Sequence, residues 1–239
     1  MFSHGSKSRL TERDLGRFPG GTLFERIARA VCRAGCLPRK ELYEAWETAR
    51  RVRRVFRGGR VVDLGGGHGL VAGILLILDD TSPHAVVTDV AVPASAAALW
   101  EALERDWPRL SGRVEFLAVD MTRVPLFPAD LVVSVHACGA LTDAVLARAS
   151  AVKARVAVLP CCHDRAGCDA GGLEGWMDVA LAIDATRALR LEQAGYRVRT
   201  QTIPAAITPK NRLLIAGPAE KSNDVIPTDV KQNDKSVRH

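Results

Sequence analysis

Val61-Val62-Asp63-Leu64-Gly65-Gly66-Gly67-His68-Gly69-Leu70 is the stretch on which the fold turns, because a short apolar run breaks into four glycines and then resumes as Val71 to Leu78 at helical length. That order reads as a buried strand, a tight turn and a crossover helix. Glycines after a first strand let the main chain bend sharply and let a ligand approach it, with the N–H groups of the next helix aimed into the same space. A nucleotide-like ligand is implied. The dinucleotide pattern G-x-G-x-x-G does not fit, since its third glycine, counted from Gly65, falls at Leu70; the spacing is Asp63-x-Gly65-x-Gly67-x-Gly69.

Outward from this stretch, β-branched runs alternate with Ala/Leu-rich ones, the sign of a parallel sheet with crossover helices. Strands are predicted near Arg60–Leu64, Ala85–Thr88, Val114–Val119, Leu131–Val135, Arg155–Leu159, Tyr196–Ile203 and Arg212–Ala216. Helices are predicted near His68–Leu78, Pro93–Asp106, Leu141–Ala151 and Met177–Ala194, with Gly195 closing the last. Before the first strand, two amphipathic helices are expected within 21–58. The second, Arg39–Phe56, has an apolar stripe of Leu42, Ala45, Trp46, Ala49 and Val52, and Arg50, Arg51, Arg53, Arg54 and Arg57 on its other face. Residues 1–20 lack an apolar period and are expected to be flexible; 220–239 read as a disordered tail after a domain spanning 59–219.

Composition narrows the class. The chain has 239 residues, 47% of them hydrophobic, and a net charge of +6. The first 60 residues hold fifteen Lys/Arg against six Asp/Glu, so the basicity is an N-terminal property. The longest apolar run, Gly69 to Leu78, is about half of a bilayer span, so no membrane segment is expected. Six cysteines, two of them adjacent, do not form a disulfide framework in a chain of this length, and nothing routes the chain to an oxidising compartment; reduced thiols and a cytoplasmic location are expected.

Three aspartates fall at successive predicted strand ends: Asp63, Asp89 with Val90 beyond it, and Asp120 with Met121. A carboxylate two residues before the first glycine favours an ammonium and repels a pyrophosphate. A second, twenty residues after the loop, can take both ribose hydroxyls. A third beside an apolar side chain suits an adenine amino group and ring face. A nucleoside carrying an amino acid end and a sulfonium, S-adenosylmethionine, meets this description. Each aspartate alone reads equally as a cap or turn residue.

With these motifs in place, the chain resembles the seven-stranded S-adenosylmethionine-dependent methyltransferases over Arg60 to Pro218. The resemblance implies a Rossmann-like, doubly wound α/β fold with strand order 3-2-1-4-5-7-6 and an antiparallel last strand. It also implies that Asp63, Gly65 and Gly67 line the methionine end of the donor, Asp89 the ribose, and Asp120 and Met121 the adenine, with Gly69 and Val90 as further donor-binding residues. Two further stretches, His136-Ala137-Cys138-Gly139-Ala140-Leu141-Thr142-Asp143 and Pro160-Cys161-Cys162-His163, are similar to a subgroup that includes enzymes methylating a tRNA acceptor-stem ribose. The cysteine/histidine modules that those enzymes carry ahead of this core have no counterpart in the sequence.

Both stretches follow neighbouring strands, so two histidines and three cysteines are expected to converge where a methyl acceptor would bind. His136 is the natural base, since a neutral imidazole is available near pH 7. Cys138, Cys162 and His163 are further catalytic candidates, although direct displacement at a methyl group needs no covalent thiolate intermediate. Zinc on Cys138, Cys161, Cys162 and His163 competes with that reading. It lacks paired C-x2-C spacing, and adjacent cysteines are expected to project apart; no metal is expected. Cys32 and Cys36 read as helix packing, and His68 as a donor contact or a solvent-facing loop residue. Trp176 and Asn211 read as acceptor contacts or as packing and turn residues.

The expected activity is therefore methyl transfer to an oxygen or nitrogen by a monomer. The acceptor stays open between RNA, held through the basic N-terminal helix, and a small molecule or protein. A non-catalytic RNA-binding protein that keeps the fold is the alternative from another class. A nicotinamide-dependent reductase is disfavoured by the glycine spacing.

Overall fold

The computed structural model describes residues 3–164 and 166–219. The predicted tail lies outside the described residues. One sheet organises the molecule, built from β1 (Val61–Leu64), β2 (Ala85–Asp89), β3 (Val114–Ala118), β4 (Leu131–Ser134), β5 (Arg155–Val158), β6 (Tyr196–Thr202) and β7 (Arg212–Pro218). Their order is β3-β2-β1-β4-β5-β7-β6, with β7 antiparallel to both its neighbours and the other pairs parallel. The helices are α1 (Leu23–Ala34), α2 (Arg39–Val55), α3 (Leu70–Leu78), α4 (Ala96–Asp106), α5 (Ala140–Ala151) and α6 (Val179–Gln193).

Central strands are short and apolar because both faces are covered. All four residues of β1 are buried, and their alternation feeds two cores: Val61, Leu131, Val133 and Ala157 pack with α1 to α4, while Val62, Val132, Val156 and Val158 pack with α5 and α6. β1 sits between β2 and β4, so the chain crosses to opposite sides of it. That switch point opens a crevice at the carboxyl ends of the strands.

The α3 sequence LVAGILLIL is apolar on every side, and Leu70 to Ile77 are all buried. A helix with no polar face needs cover from both directions. The sheet supplies one, and the apolar stripe of α2 supplies the other, so the N-terminal helices share a core with the sheet. α1 begins with a capping box between Thr22 and Glu25 and ends at Gly35 in a left-handed conformation.

Two expectations need correcting. Residues 8–20 are ordered against the helices: Leu10 and Phe18 are buried, Leu10 N donates to Leu37 O at 2.9 Å, and Glu12–Arg17 form a 3₁₀ turn. Isolated apolar anchors hold this segment where no periodic pattern announced it. Nor is the arginine face of α2 simply solvated. Arg53 is buried, donates to Leu75 O at 3.1 Å and Ser82 Oγ at 2.7 Å, and pairs with Asp79 at 3.1 Å. Burial lowers the Arg53 pKa to about 10. Burial raises that of Asp79, but the Thr81 hydroxyl, the N–H groups of Gly58 and Thr81, and the Arg53 charge outweigh it and hold the carboxyl near about 2. No helix among the described residues is long and apolar enough to cross a membrane.

Candidate functional site

The glycine loop closes the amino-terminal half of the crevice. Gly65 and Gly66 donate to Thr88 O at 2.8 and 3.0 Å, tying the loop to β2. Gly65 and Gly67 have φ of +69° and +53°, which a side chain would strain. Gly66 is needed for space instead, because a Cβ there would lie 2.6 Å from Asp63 Cγ and 2.8 Å from Val87 Cγ1. Gly69 turns away from the crevice: its Cβ would meet Val87 at 2.9 Å and Phe116 and Trp100 at 3.2 Å. The expected donor contact at Gly69 is therefore corrected to close packing of α3 on the sheet, and Gly66 lines the crevice in its place.

The crevice holds a cavity of about 430 Å³. Gly65, Gly67, Asp89, Val90, Asp120, Met121 and His136, all expected site residues, line it, as do His68 and Glu41. Asp63 lines a recess of about 30 Å³ that shares Glu41, Gly65, Gly66, His68 and His136 with the main cavity. Its carboxylate is 1% exposed and Oδ2 has no hydrogen-bond partner. Burial, helped by the charge of Asp89 and opposed by the Ala72 N–H, pushes its pKa up to about 7.

The other two carboxylates are held by the backbone. Asp89 Oδ2 accepts from Gly67 N at 3.2 Å and Oδ1 from Ala91 N at 3.3 Å. Asp120 Oδ1 accepts from the Thr122 hydroxyl at 2.6 Å and N–H at 2.8 Å, which brings its carboxyl below the usual range. Arg148 of α5 donates to Met121 O and Val124 O and fixes that loop. Val90, 73% exposed, leaves an apolar rim beside Asp89. His68 Nε2 is 2.9 Å from Ser95 Oγ, and burial lowers its pKa.

His136 enters from the loop after β4, with Nε2 3.9 Å from Glu44 Oε2. Glu44 is buried; Lys40 binds its Oε1 at 2.7 Å, and its Oε2 has no hydrogen-bond partner. Glu41 and Glu44 were not foreseen, because nothing local to the start of α2 signals that it reaches a loop nearly a hundred residues later.

The motif around His136 divides into a reactive part and a scaffold. Thr142 Oγ1 donates to Ala137 O at 2.6 Å, and Gly139, at φ +57°, donates to Cys162 O at 3.3 Å. Buried Arg187 of α6 grips Asp143 at 2.8 Å, Gly139 O at 3.0 Å and Asp184 at 3.2 Å. His163 joins this network and not the cavity: its side chain is 3% exposed, Nε2 lies 2.8 Å from both Asp184 oxygens, and Arg212 donates to Asp184 at 2.6 Å. His163, expected among the catalytic residues, is thus turned inward to Asp184 and does not line the cavity.

Cys138 and Cys162 do not line the cavity either. With Cys161 they form a cluster whose sulfurs lie within 4.8 Å of one another, so the adjacent cysteines converge where they were expected to diverge. Cys32 is buried in the helical core, as a packing residue. Asn211 Nδ2 donates to Ile203 O at 2.9 Å, a turn role, whereas Trp176 is 86% exposed and packs little.

The arginines expected to hold RNA at the site stand elsewhere. Glu41, at the cavity, and Arg53 are more than three turns apart along α2, about 18 Å, and Arg57 lies beyond the helix end. Arg50 and Arg51 are paired with Glu47, and Arg57 donates to Leu78 O at 3.1 Å. From α2, Glu41 lines the cavity.

A family model described as a methyltransferase domain matches residues 40–166, more than half of the chain, and its match begins within α2. No curated protein matches the chain. Among solved structures, a proposed rRNA methylase of Clostridium thermocellum is 14% identical, with a TM-score of 0.51 over 74% of this chain and 96% of that one. An O-methyltransferase family protein of Burkholderia thailandensis is 16% identical, with a TM-score of 0.49 over 87% and 68%. Human N-acetylserotonin methyltransferase, in complex with SAM, is 16% identical, with a TM-score of 0.46 over 87% and 58%.

Proposed function

The chain belongs to the methyltransferase domain family, and from that premise we propose that it transfers the methyl group of S-adenosylmethionine to an oxygen or nitrogen acceptor. One observation carries the reading: a buried carboxylate oxygen of Asp63, without a partner, opens on a recess beside a cavity of about 430 Å³. An ammonium group fits such an oxygen, and a phosphate does not. Asp63 and the glycine loop would hold the amino acid end, Asp89 the ribose, and Asp120 with Met121 the adenine. When bound, the donor supplies a methyl group on a positively charged sulfur, already electrophilic.

The protein's part is then orientation and proton removal. His136 lines the same cavity and is the candidate base for an acceptor hydroxyl or amine. The imidazolium formed on taking that proton lies near the Glu44 carboxylate, which favours it. Asp143, Thr142, His163 and Arg187 act by holding the loop that bears His136. Trp176, exposed on the segment before α6, is a candidate acceptor contact.

Calorimetry separates the roles. His136→Ala retains donor affinity and loses turnover, whereas loss of donor affinity in that variant would overturn the base assignment. Incubation with methyl-labelled donor and separate RNA, protein and metabolite fractions names the acceptor class by which fraction takes up label. Acidic Glu41, which lines the cavity, favours a small molecule or protein over a phosphate-rich polymer.

A further inference from the structure

The loops after β4 and β5 each deliver cysteine to one spot. Cys138 Sγ is 2.9 Å from Cys161 Sγ, and Cys161 Sγ is 3.8 Å from Cys162 Sγ. Cys138 and Cys162 are exposed, Cys161 is half-buried, and all three are free thiols. The convergence is built into the backbone: Gly139 N binds Cys162 O, Thr142 holds Ala137 O, and Arg187 holds Gly139 O, so the two loops cannot drift apart independently.

Three sulfurs bound to one zinc ion at about 2.3 Å, in tetrahedral directions, stand about 3.8 Å from one another. The Cys161–Cys162 separation already has that value. Cys138 has to withdraw from Cys161 by less than an ångström, from 2.9 Å, which an exposed side chain does by a small rotation. We propose that Cys138, Cys161 and Cys162 form a three-thiolate site for zinc or a similarly thiophilic divalent cation, with the fourth coordination position open to solvent.

Burial, with Cys138 and Cys162 as its neighbours, raises the Cys161 thiol well above its ordinary range, and burial likewise raises Cys138. A divalent cation binds the thiolate form, so binding it releases protons. The site lies beside the cavity, since Ala137 lines it and Cys138 follows directly. It would bridge the two loops there whether or not the donor assignment holds.

Cobalt(II) tests this on the full chain, with the thiols kept reduced by a phosphine. The expected result is thiolate-to-cobalt charge-transfer absorption that saturates at one equivalent, is abolished by zinc, and is accompanied by proton release and, once the phosphine is removed, by protection of three thiols from a chromogenic disulfide. Cys138→Ser should weaken zinc by more than the roughly 10–100-fold that outer-shell changes cost, with unchanged circular dichroism, while Cys36→Ser leaves affinity as it was. The proposal is overturned by the absence of charge-transfer absorption at saturating cobalt in folded protein. Absorption that survives Cys138→Ser unaltered, or a Cys138–Cys161 disulfide that persists under the phosphine, overturns it equally.

Discussion

The carboxyl edge of the sheet is built in two ways. At the ends of β1 and β2, the groups facing the cavity are held by main chain: Thr88 O receives Gly65 and Gly66, and Gly67 N and Ala91 N hold Asp89. On the β4–β5 side, side chains from far along the chain do the holding. Arg187 and Asp184 of α6 and Arg212 of β7 fix Asp143, Gly139 and His163. The first side is therefore robust to most single substitutions away from the glycines. The second depends on one buried cation with four partners: Asp143, Asp184, Gly139 O and Cys168.

Arg187→Met gives the largest expected effect. It removes a cation whose side chain is 2% exposed and leaves Asp184, 11% exposed, without one of its partners. Breaking a buried ion pair costs about 3–5 kcal/mol, read as a lowered denaturation midpoint. A loss below about 1 kcal/mol would show that the β4–β5 side is held by packing alone.

Asp89→Ala should do the reverse, changing stability by about 1 kcal/mol or less while reducing donor affinity. Charge-assisted hydrogen bonds contribute about 1.5–3 kcal/mol, so calorimetry should show a loss of roughly 10- to 100-fold. Unaltered affinity would remove the ribose assignment. Gly66→Ala lies between the two, because its Cβ would sit 2.6 Å from Asp63 Cγ. Overpacking costs about 1–3 kcal/mol, and because it displaces Asp63, stability and donor affinity should fall together. Gly65, with nothing within 4 Å of its Cβ, strains only the backbone.

The same contrast explains what could be read from sequence. The glycine loop is a run of contiguous residues, and the ends of β1, β2 and β3 recur in register, so Asp63, Asp89 and Asp120 announce one edge. The glycine pattern misled at one position: spacing cannot tell a glycine that admits ligand from one that admits Trp100 and Phe116, so Gly69 was placed in the cavity. The β4–β5 side was legible as a cluster but not in its roles. His163 turns inward because Asp184 and Arg212 await it, and neither residue carries a local signal of that pairing. Arg53 was grouped with the arginines opposite the apolar stripe, yet it is buried, because Asp79 and Ser82 wait beneath it and neither signals that pairing locally.

Asp63 offers a pH test of the donor side. Free protein holds a proton on this carboxyl with a pKa of about 7, raised by burial and by Asp89. Binding an ammonium requires the carboxylate, so below pH 7 the donor must expel that proton. Affinity should fall about tenfold per pH unit below 7 and level off above it, with proton release visible in buffers of different ionisation enthalpy. Asp63→Asn should flatten the profile. A flat profile in the parent protein would mean that the ammonium lies elsewhere.

The smallest expected effect separates the acceptor from everything above. Trp176 is 86% exposed and spends no packing on the fold, so Trp176→Ala should move stability by no more than about 0.5 kcal/mol. Donor affinity should not move, because Trp176 lines neither the cavity nor the Asp63 recess. An aromatic contact contributes about 0.5–1.5 kcal/mol, so the acceptor's KM should rise roughly two- to twelvefold. A change in kcat alone would mean that Trp176 shapes closure and not acceptor binding. An unchanged KM would remove Trp176 from the acceptor's contacts and confine its recognition to the cavity itself, where His136 and Glu41 stand.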